Sequence, residues 1–360
     1  MTESYEDVDD AGNRGPVNSR HMAKKKSRRP LLVIVVSALA VLALAGVAVG
    51  AYGYNLASNF NSSTQKFESA FPEDSLRPAA SEAKDGKPAP VNILLMGSDA
   101  RNASLEASKD GQASDQRSDT LMLLHIPADR KNIYVMSVMR DTWVDIPGKG
   151  EAKINAALPS GGVPLVVQTL EGLFGVRIDH VAGMDFGGFE ALTDALGGVE
   201  ITVPYDFKSF HMPGKTFSKG KQLMDGPTAL AFVRERYAFP DGDYQRVKNQ
   251  QAFLKAVMSK MLTPDTLSNP VTINEIVTKF SPFISVDKSL DAATVAALGV
   301  QLKDVRTSNV TMFTLPTLGT GTSADGQSIV VQDDAEIQKV SDALKADYMA
   351  DYIQASKQGK

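Results

Sequence analysis

The sequence predicts an α/β domain whose central sheet is buried on both faces. The first observation behind this prediction is a set of three short apolar runs, Val91–Met96, Thr120–Ile126 and Ile133–Met139. Strands that are covered on both faces read as nearly continuous apolar runs, as these do. The second observation is that charged residues, Asp99 and Arg140-Asp141, follow the first and third runs. Open α/β sheets bind ligands at the edge where such strand ends meet.

Helices and further strands follow along the chain. A Gly-Gly pair leads to a helix that begins near Pro164, and Pro is well suited to a first helical position. Phe186–Leu196 has apolar residues at helical spacing and is stopped by Gly197-Gly198. Asp225 is a suitable N-cap for a short helix that leads into Arg234. The other predicted elements are the strands Ile178–Met184, Val199–Phe207 and Asn309–Leu315 and the helices Val247–Leu262, Ile273–Phe280, Ala292–Leu302 and Asp334–Tyr348, with a Gly/Ser/Thr loop before the last helix.

An uncharged stretch near the N-terminus, Leu31–Ala51, predicts a membrane anchor. At a rise of about 1.5 Å per residue it just spans a bilayer core of about 30 Å. The preceding residues lack apolar periodicity and end in a basic cluster, which places them in the cytoplasm and the rest of the chain outside. A cleaved signal peptide is the competing interpretation, but its apolar region is usually only about 7 to 15 residues long.

The expected organisation is a single-pass protein of the cell membrane with an extracytoplasmic domain. Its predicted segments are a disordered cytoplasmic tail (1–30), a transmembrane anchor (31–54), a partly helical stalk or linker (55–90), the folded domain (91–350) and a C-terminal tail (351–360). Residues 55–90 are assigned to a stalk because they show no strong apolar period and end in a Pro-containing stretch.

Composition excludes several classes of function. The net charge of -4 and the pI of about 5.7 imply no basic surface over a whole domain, so we expect no nucleic-acid partner. The absence of Cys excludes disulfides, thiolate metal sites and cysteine nucleophiles. The four His residues are scattered without metal-ligand spacing. The chain also lacks the Gly-rich loop of ATP and GTP hydrolases and the Gly-x-Ser-x-Gly turn of serine hydrolases.

The densest cluster of charged residues lies between Arg234 and Gln250. Arg234 and Arg236 are two positions apart, so in an extended backbone both guanidinium groups leave on the same side. After a Pro-Asp-Gly turn, Asp243, Arg246 and Gln250 have the spacing of one helix face. Guanidinium groups bind phosphate oxygens in pairs, so the cluster predicts an anion site. The alternative interpretation is a solvated charged loop with an Arg-Asp pair.

Seven motifs in this order resemble the LytR-CpsA-Psr family of bacterial cell-wall enzymes. The motifs are Asn92-Ile93-Leu94-Leu95-Met96-Gly97-Ser98-Asp99, Arg117-Ser118-Asp119-Thr120, Arg140-Asp141-Thr142-Trp143, Lys153-Ile154-Asn155-Ala156, Asp185-Phe186-Gly187-Gly188-Phe189, Leu196-Gly197-Gly198-Val199 and the cluster from Arg234 to Gln250. The resemblance implies a three-layer α/β/α sandwich around a mixed, largely buried sheet. It also implies a phosphotransferase that moves a glycopolymer-1-phosphate unit from a polyprenyl-pyrophosphate carrier to peptidoglycan.

The resemblance further implies roles for individual residues. The pyrophosphate would be bound by Arg117, Arg140, Arg234, Arg236, Arg246 and Gln250. Asp99 and Asp243 would hold Mg²⁺, or another divalent cation such as Mn²⁺, directly or through water. The expected catalytic residues are Asp99, Arg140, Asp141 and Asp243, and Asp99, Asp119 and Asp141 are all possible general bases.

Two other functions fit the same residues. One is a hydrolase that uses the same arginines with water as the acceptor, and the other is a non-catalytic protein that binds the cell wall or regulates its synthesis.

Overall fold

The computed structural model describes residue 47 and residues 50–98, 118–263 and 269–358. The predicted tail over residues 1–30, most of the predicted anchor, Asp99 and Arg117 therefore lie outside the described residues. None of the helices in the described part of the chain combines the length and the apolar composition needed to cross a bilayer.

A mixed seven-stranded sheet forms the centre of the molecule. Its strands, in spatial order, are β1 (Gln65–Lys66), β12 (Ile284–Val286), β7 (His180–Met184), β2 (Val91–Ser98), β3 (Ser118–Ile126), β4 (Ile133–Val138) and β13 (Val310–Thr314). The pairs β1·β12, β7·β2 and β4·β13 are parallel, and the other neighbours are antiparallel. The prediction of an α/β fold around a buried mixed sheet is confirmed, and the three apolar runs are its three adjacent strands β2, β3 and β4.

Four small antiparallel pairs surround this sheet. They are β5 (Trp143–Ile146) with β6 (Gly150–Lys153), β8 (Val199–Val203) with β11 (Gly220–Met224), β9 (Phe207–Lys208) with β10 (Thr216–Phe217), and β14 (Thr317–Thr322) with β15 (Ser328–Gln332). The single strand predicted over Val199–Phe207 is thus divided between two of these pairs.

Helices pack against both faces of the central sheet. The helices that follow residue 91 within the described ranges are α1 (Ala157–Phe174), α2 (Phe186–Ala195), α3 (Gly226–Arg234), α4 (Asp243–Met261), α5 (Pro270–Phe280), α6 (Ala292–Gln301), α7 (Asp334–Lys345) and α8 (Met349–Gln358). Leu94 and Leu123 pack on one face with residues of α1, α7 and α8, whereas Leu95 and Met122 pack on the other face with residues of α4. This alternation follows from the period of two along a strand.

The segment predicted to be a stalk belongs partly to the domain, which corrects that boundary. After a helical stretch over residues 53–63, β1 pairs with β12 at the edge of the sheet, and Phe67 is 3% exposed. Further along, Arg77 forms a buried ion pair of 2.7 Å with Glu171 of α1. A two-residue strand and one buried aromatic residue leave no apolar period in the sequence, so this packing was not predicted.

Two predictions near the C-terminus also change. The Gly/Ser/Thr stretch expected to be a loop is the β14–β15 hairpin, and its first strand alternates between half-buried and exposed residues. The tail expected over residues 351–360 continues as helix α8 to Gln358, and Ile353 of that helix is buried against the core.

Candidate active site

A cavity of about 370 Å³ opens where the parallel strands β2 and β7 end. Met96 and Gly97 of β2 and Met184 of β7 lie at its wall, as expected for the binding edge of an α/β sheet. Much of the remaining lining is apolar and includes Leu95, Met122, Phe186, Phe189, Leu230 and Phe253. The cavity therefore offers a hydrocarbon-like interior to whatever it binds.

Five polar side chains predicted from the sequence line the same cavity. They are Arg140, Arg234, Arg236, Arg246 and Gln250. Arg140 follows β4, Arg234 ends α3, and Arg246 and Gln250 lie one turn apart on α4. The structure thus brings these five side chains to one cavity, and Arg246, which is 5% exposed, does not lie in a solvated loop.

The extended backbone between Arg234 and Arg236 explains why both reach the cavity. Glu235 has a φ of -65° and a ψ of 128°, and its side chain is fully buried on the opposite side. Arg234 stacks on the ring of Phe186 at 4.4 Å from the centroid. Its guanidinium plane is thereby fixed by a cation–π contact beside the cavity.

Asp243 lies next to these arginines at the start of α4. Its Oδ1 is 3.3 Å from Nη2 of Arg246 and 3.7 Å from Nη1 of Arg236. Burial raises the pKa of Asp243 above its ordinary value, and the charge and a hydrogen bond of Asp141 raise it further, while Arg246 opposes both. Asp141 is therefore close enough to Asp243 for the negative charge of one carboxylate to act on the other.

This pair of carboxylates suits a hard cation, because carboxylate oxygen is the donor that Mg²⁺ prefers. A group of three or more His, Cys, Asp or Glu side chains positioned for a metal is not found within the described ranges. Asp99, the other predicted ligand, lies outside those ranges. Asp141, which the sequence had placed among the catalytic residues, is the carboxylate that the structure places beside Asp243.

The turn that carries Arg140 and Asp141 is held by two other segments. Asp141 Oδ1 lies 3.7 Å from Nζ of Lys153 and accepts a hydrogen bond of 3.3 Å from Nδ2 of Asn155. The backbone N–H of Asn155 donates to the carbonyl of Arg140 at 3.1 Å, and that of Val330 donates to the carbonyl of Asp141 at 2.9 Å. The Lys153-Ile154-Asn155-Ala156 motif and the β14–β15 hairpin therefore position the acid.

A family model described as the LytR_cpsA_psr family matches residues 52–346 of the chain. The chain belongs to this family. The resemblance drawn from the seven motifs is confirmed, and the match begins well before residue 91, in agreement with the corrected domain boundary.

Two curated members of the LytR-CpsA-Psr family show the extent of the similarity. The polyisoprenyl-teichoic acid–peptidoglycan teichoic acid transferase TagU of Enterococcus faecalis is 30% identical, and the match covers 88% of this chain and 97% of that protein. The cell wall biosynthesis protein LcpA of Corynebacterium glutamicum is 26% identical, with 68% of this chain and 53% of that protein covered.

Solved structures share the fold. The crystal structure of TagV from B. subtilis matches with a TM-score of 0.60 and 25% identity, covering 72% of this chain and 97% of that one. A structure of TagT bound to LI-WTA matches with a TM-score of 0.55 and 24% identity, covering 79% of this chain and 96% of that one.

Two further residues of the LytR-CpsA-Psr site carry structural tasks that sequence reasoning missed. Glu235 accepts hydrogen bonds from the backbone N–H groups of Phe210, Arg236 and Tyr237, at 2.7, 3.1 and 3.2 Å, and from the hydroxyl of Ser209 at 3.2 Å. Asp185 caps α2 by accepting from the N–H of Gly188 at 2.7 Å. The sequence signal for Asp185 is an Asp three positions before Gly188 at a helix start, whereas a Glu between two arginines suggests only charge balance.

His211 also lines the cavity, although the sequence assigned it no role. Burial lowers the pKa of His211, and the guanidinium group of Arg234 lowers it further. The imidazole is therefore neutral at physiological pH and leaves the positive charge of the cavity to the arginines.

Proposed function

We propose that this protein is a membrane-anchored phosphotransferase that moves a glycopolymer-1-phosphate unit from a polyprenyl-pyrophosphate carrier to peptidoglycan. The observation that carries the proposal is the convergence of Arg140, Arg234, Arg236 and Arg246 on one largely apolar cavity. A polyprenyl pyrophosphate has the matching chemistry, because its tail is hydrocarbon and its pyrophosphate concentrates negative charge. The relative TagU is named as a transferase of teichoic acid to peptidoglycan, which supports this class of reaction.

In the proposed reaction, an acceptor hydroxyl oxygen attacks the phosphorus that carries the glycan. A new P–O bond forms, the bond to the second phosphate breaks, and polyprenyl phosphate leaves. The arginines stabilise the charge that develops on that leaving phosphate. Asp141 takes the hydroxyl proton as general base in this scheme, with Lys153 and Asn155 holding it in place.

Asp243, together with Asp99 as the family resemblance implies, would hold Mg²⁺ or a similar divalent cation such as Mn²⁺. When bound there, the cation supplies additional positive charge to the pyrophosphate oxygens. The chain's own residues fit this task because Asp243 is a half-buried carboxylate that lies beside Arg236 and Arg246, two of the arginines that would hold the pyrophosphate.

The proposal includes a location at the cell membrane. Residues 31–54 would span the bilayer as a single helix with the N-terminus in the cytoplasm, and the domain would be an extracytoplasmic three-layer α/β/α sandwich. Protease added to intact, wall-stripped cells should then degrade the domain after Tyr54. Complete protection of the domain would overturn this topology.

Product analysis distinguishes this function from its alternatives. With a lipid-linked saccharide, peptidoglycan fragments and Mg²⁺, we expect a phosphodiester-linked product and little free sugar phosphate. Mostly free sugar phosphate would indicate a hydrolase. No turnover by the wild type with several glycans would indicate a protein that binds the carrier without reacting it.

A further inference from the structure

Two exposed aromatic rings and a half-buried imidazole lie together at the edge of the cavity. We call Phe210, His211 and Tyr237 the aromatic rim. The rings of Phe210 and Tyr237 are 4.7 Å apart between centroids, and the ring of His211 lies 5.7 Å from the first and 6.3 Å from the second. Phe210 is 65% exposed and Tyr237 is 59% exposed. Large apolar side chains with this exposure at a pocket edge mark a contact surface for a ligand or partner.

The buried side chain of Glu235 holds the aromatic rim in place. The carboxylate of Glu235 is fully buried, and one of its oxygens accepts from the N–H of Phe210 at 2.7 Å. The other oxygen accepts from the N–H of Tyr237 at 3.2 Å. The buried carboxylate of Glu235 therefore joins the two chain segments that carry the rim. Hydrogen bonds to a charged acceptor are among the stronger ones in proteins.

The rim is continuous with the arginines. His211 and Tyr237 line the cavity together with Arg234 and Arg236. The guanidinium group of Arg236 lies over the ring of Tyr237 at 4.6 Å and donates from Nη2 to the Tyr237 hydroxyl at 2.6 Å. Exposure rises along this path, from 5% at Phe253 in the apolar interior to 59% at Tyr237.

The same path has the order of a lipid-linked saccharide, in which the hydrocarbon tail, the pyrophosphate and the first sugar follow one another. On the proposed function, on which this inference rests, the tail lies in the apolar interior and the pyrophosphate on the arginines. The sugar next to the pyrophosphate then reaches the rim. The C–H face of a sugar ring is slightly positive, and the face of an aromatic ring carries negative charge.

We propose that Phe210 and Tyr237, with His211 beside them, form a subsite that stacks on the first sugar of the carrier-linked glycan. A membrane surface is the other occupant that exposed aromatic residues suit. The sugar is favoured because the rim is fixed to Arg236 and Glu235 and opens directly from the cavity. Binding at the rim would select carriers that bear a sugar over the bare polyprenyl pyrophosphate.

Binding of two short-chain probes to the full-length protein tests the subsite. The probes are farnesyl pyrophosphate and the same molecule carrying N-acetylglucosamine on its terminal phosphate. Wild type should bind the sugar-bearing probe more tightly. Phe210→Ala should lose about 3- to 10-fold in affinity for that probe, as expected for one aromatic contact, with the affinity for the bare probe unchanged. Tyr237→Phe should bind nearly as wild type, because it keeps the ring.

Leu318→Ala is the matched control, since Leu318 is 71% exposed on the β14–β15 hairpin and does not line the cavity. Equal loss of both probes in Phe210→Ala, or no loss of either, would overturn the subsite. Quenching of a fluorophore on Phe210→Cys by a lipid-borne quencher in reconstituted liposomes, with probe binding unchanged in Phe210→Ala, would assign the rim to the membrane instead. Failure of wild type to bind either probe would overturn the proposed function and the subsite with it.

Discussion

Asp243 and Arg246 lie one turn apart on α4, with Asp243 Oδ1 3.3 Å from Nη2 of Arg246. The ion pair fixes a nearly buried guanidinium group at the wall of the cavity and leaves the carboxylate beside Asp141. One helix turn therefore supplies both an anion-binding group and a cation-binding group. This arrangement suits a pyrophosphate held together with a divalent cation.

Arg246→Ala should weaken binding of polyprenyl pyrophosphate by about 10- to 100-fold, the value of losing charge-assisted hydrogen bonds. Arg246→Lys should restore binding only in part, because an ammonium group cannot form the two parallel bonds of a guanidinium. Calorimetry with farnesyl pyrophosphate measures both effects. Lys248→Ala is the control, because Lys248 is on the same helix with its side chain 62% exposed. A lysine variant that binds as tightly as wild type would refute paired phosphate binding.

Asp243→Asn should still bind the lipid carrier but turn it over about 100-fold more slowly. The arginines continue to hold the substrate. The variant lacks the carboxylate that would hold the cation, so the cation's stabilisation of the transition state is lost. Single-turnover kinetics and equilibrium binding on the same preparation separate the two effects. Unchanged turnover, in this variant and in Asp99→Asn, would remove the metal from the mechanism.

Much of this site was predictable from the sequence, for local reasons. Arg234 and Arg236 point to the same side of the backbone because one extended residue separates them. Arg246 and Gln250 lie on the same helix face because one helical turn separates them. The pairing of Asp141 with Asp243 was not predictable in the same way. That pairing depends on the end of β4 lying next to the start of α4 in the fold. The spacing of residues along the sequence does not predict such a contact between distant elements.

The segment before residue 91 gives a second example of what local pattern misses. Phe67 is 3% exposed beside the two-residue strand β1. Phe67→Ala should lower the free energy of unfolding by about 3 to 5 kcal/mol, as for other large-to-small core changes. Leu76→Ala, at a residue that is 57% exposed, should change it by less than about 0.5 kcal/mol. Chemical denaturation measures both changes. An effect of Phe67→Ala as small as that of Leu76→Ala would show that this segment is a stalk outside the domain.

Stability at acid pH should depend on Asp287, which follows the edge strand β12. Burial raises the pKa of Asp287. Hydrogen bonds from His180, Ser289 and the N–H of Val181 outweigh this effect and hold the pKa of Asp287 below its ordinary value of 3.8. A lowered carboxyl pKa stabilises the fold above the ordinary value, and that stability is lost as pH falls through the folded-state pKa.

The melting temperature of Asp287→Asn should therefore be lower than that of wild type at neutral pH, and the gap should narrow as pH falls below about 4. Asp304→Asn, at an exposed turn after α6, is the control for loss of a carboxylate outside this strand. A gap for Asp287→Asn that stays constant with pH would show that its carboxylate charge does not stabilise the strand.

Mass spectrometry of the lipid that co-purifies with the detergent-extracted full-length protein tests most directly whether the cavity holds a polyprenyl pyrophosphate. Wild type and Lys248→Ala should carry a polyprenyl phosphate or pyrophosphate species, with or without sugars. The double variant Arg234→Ala/Arg246→Ala should lose it while keeping ordinary phospholipid. Recovery of only bulk phospholipid, in equal amounts from wild type and the double variant, would contradict the assignment of this cavity to the carrier.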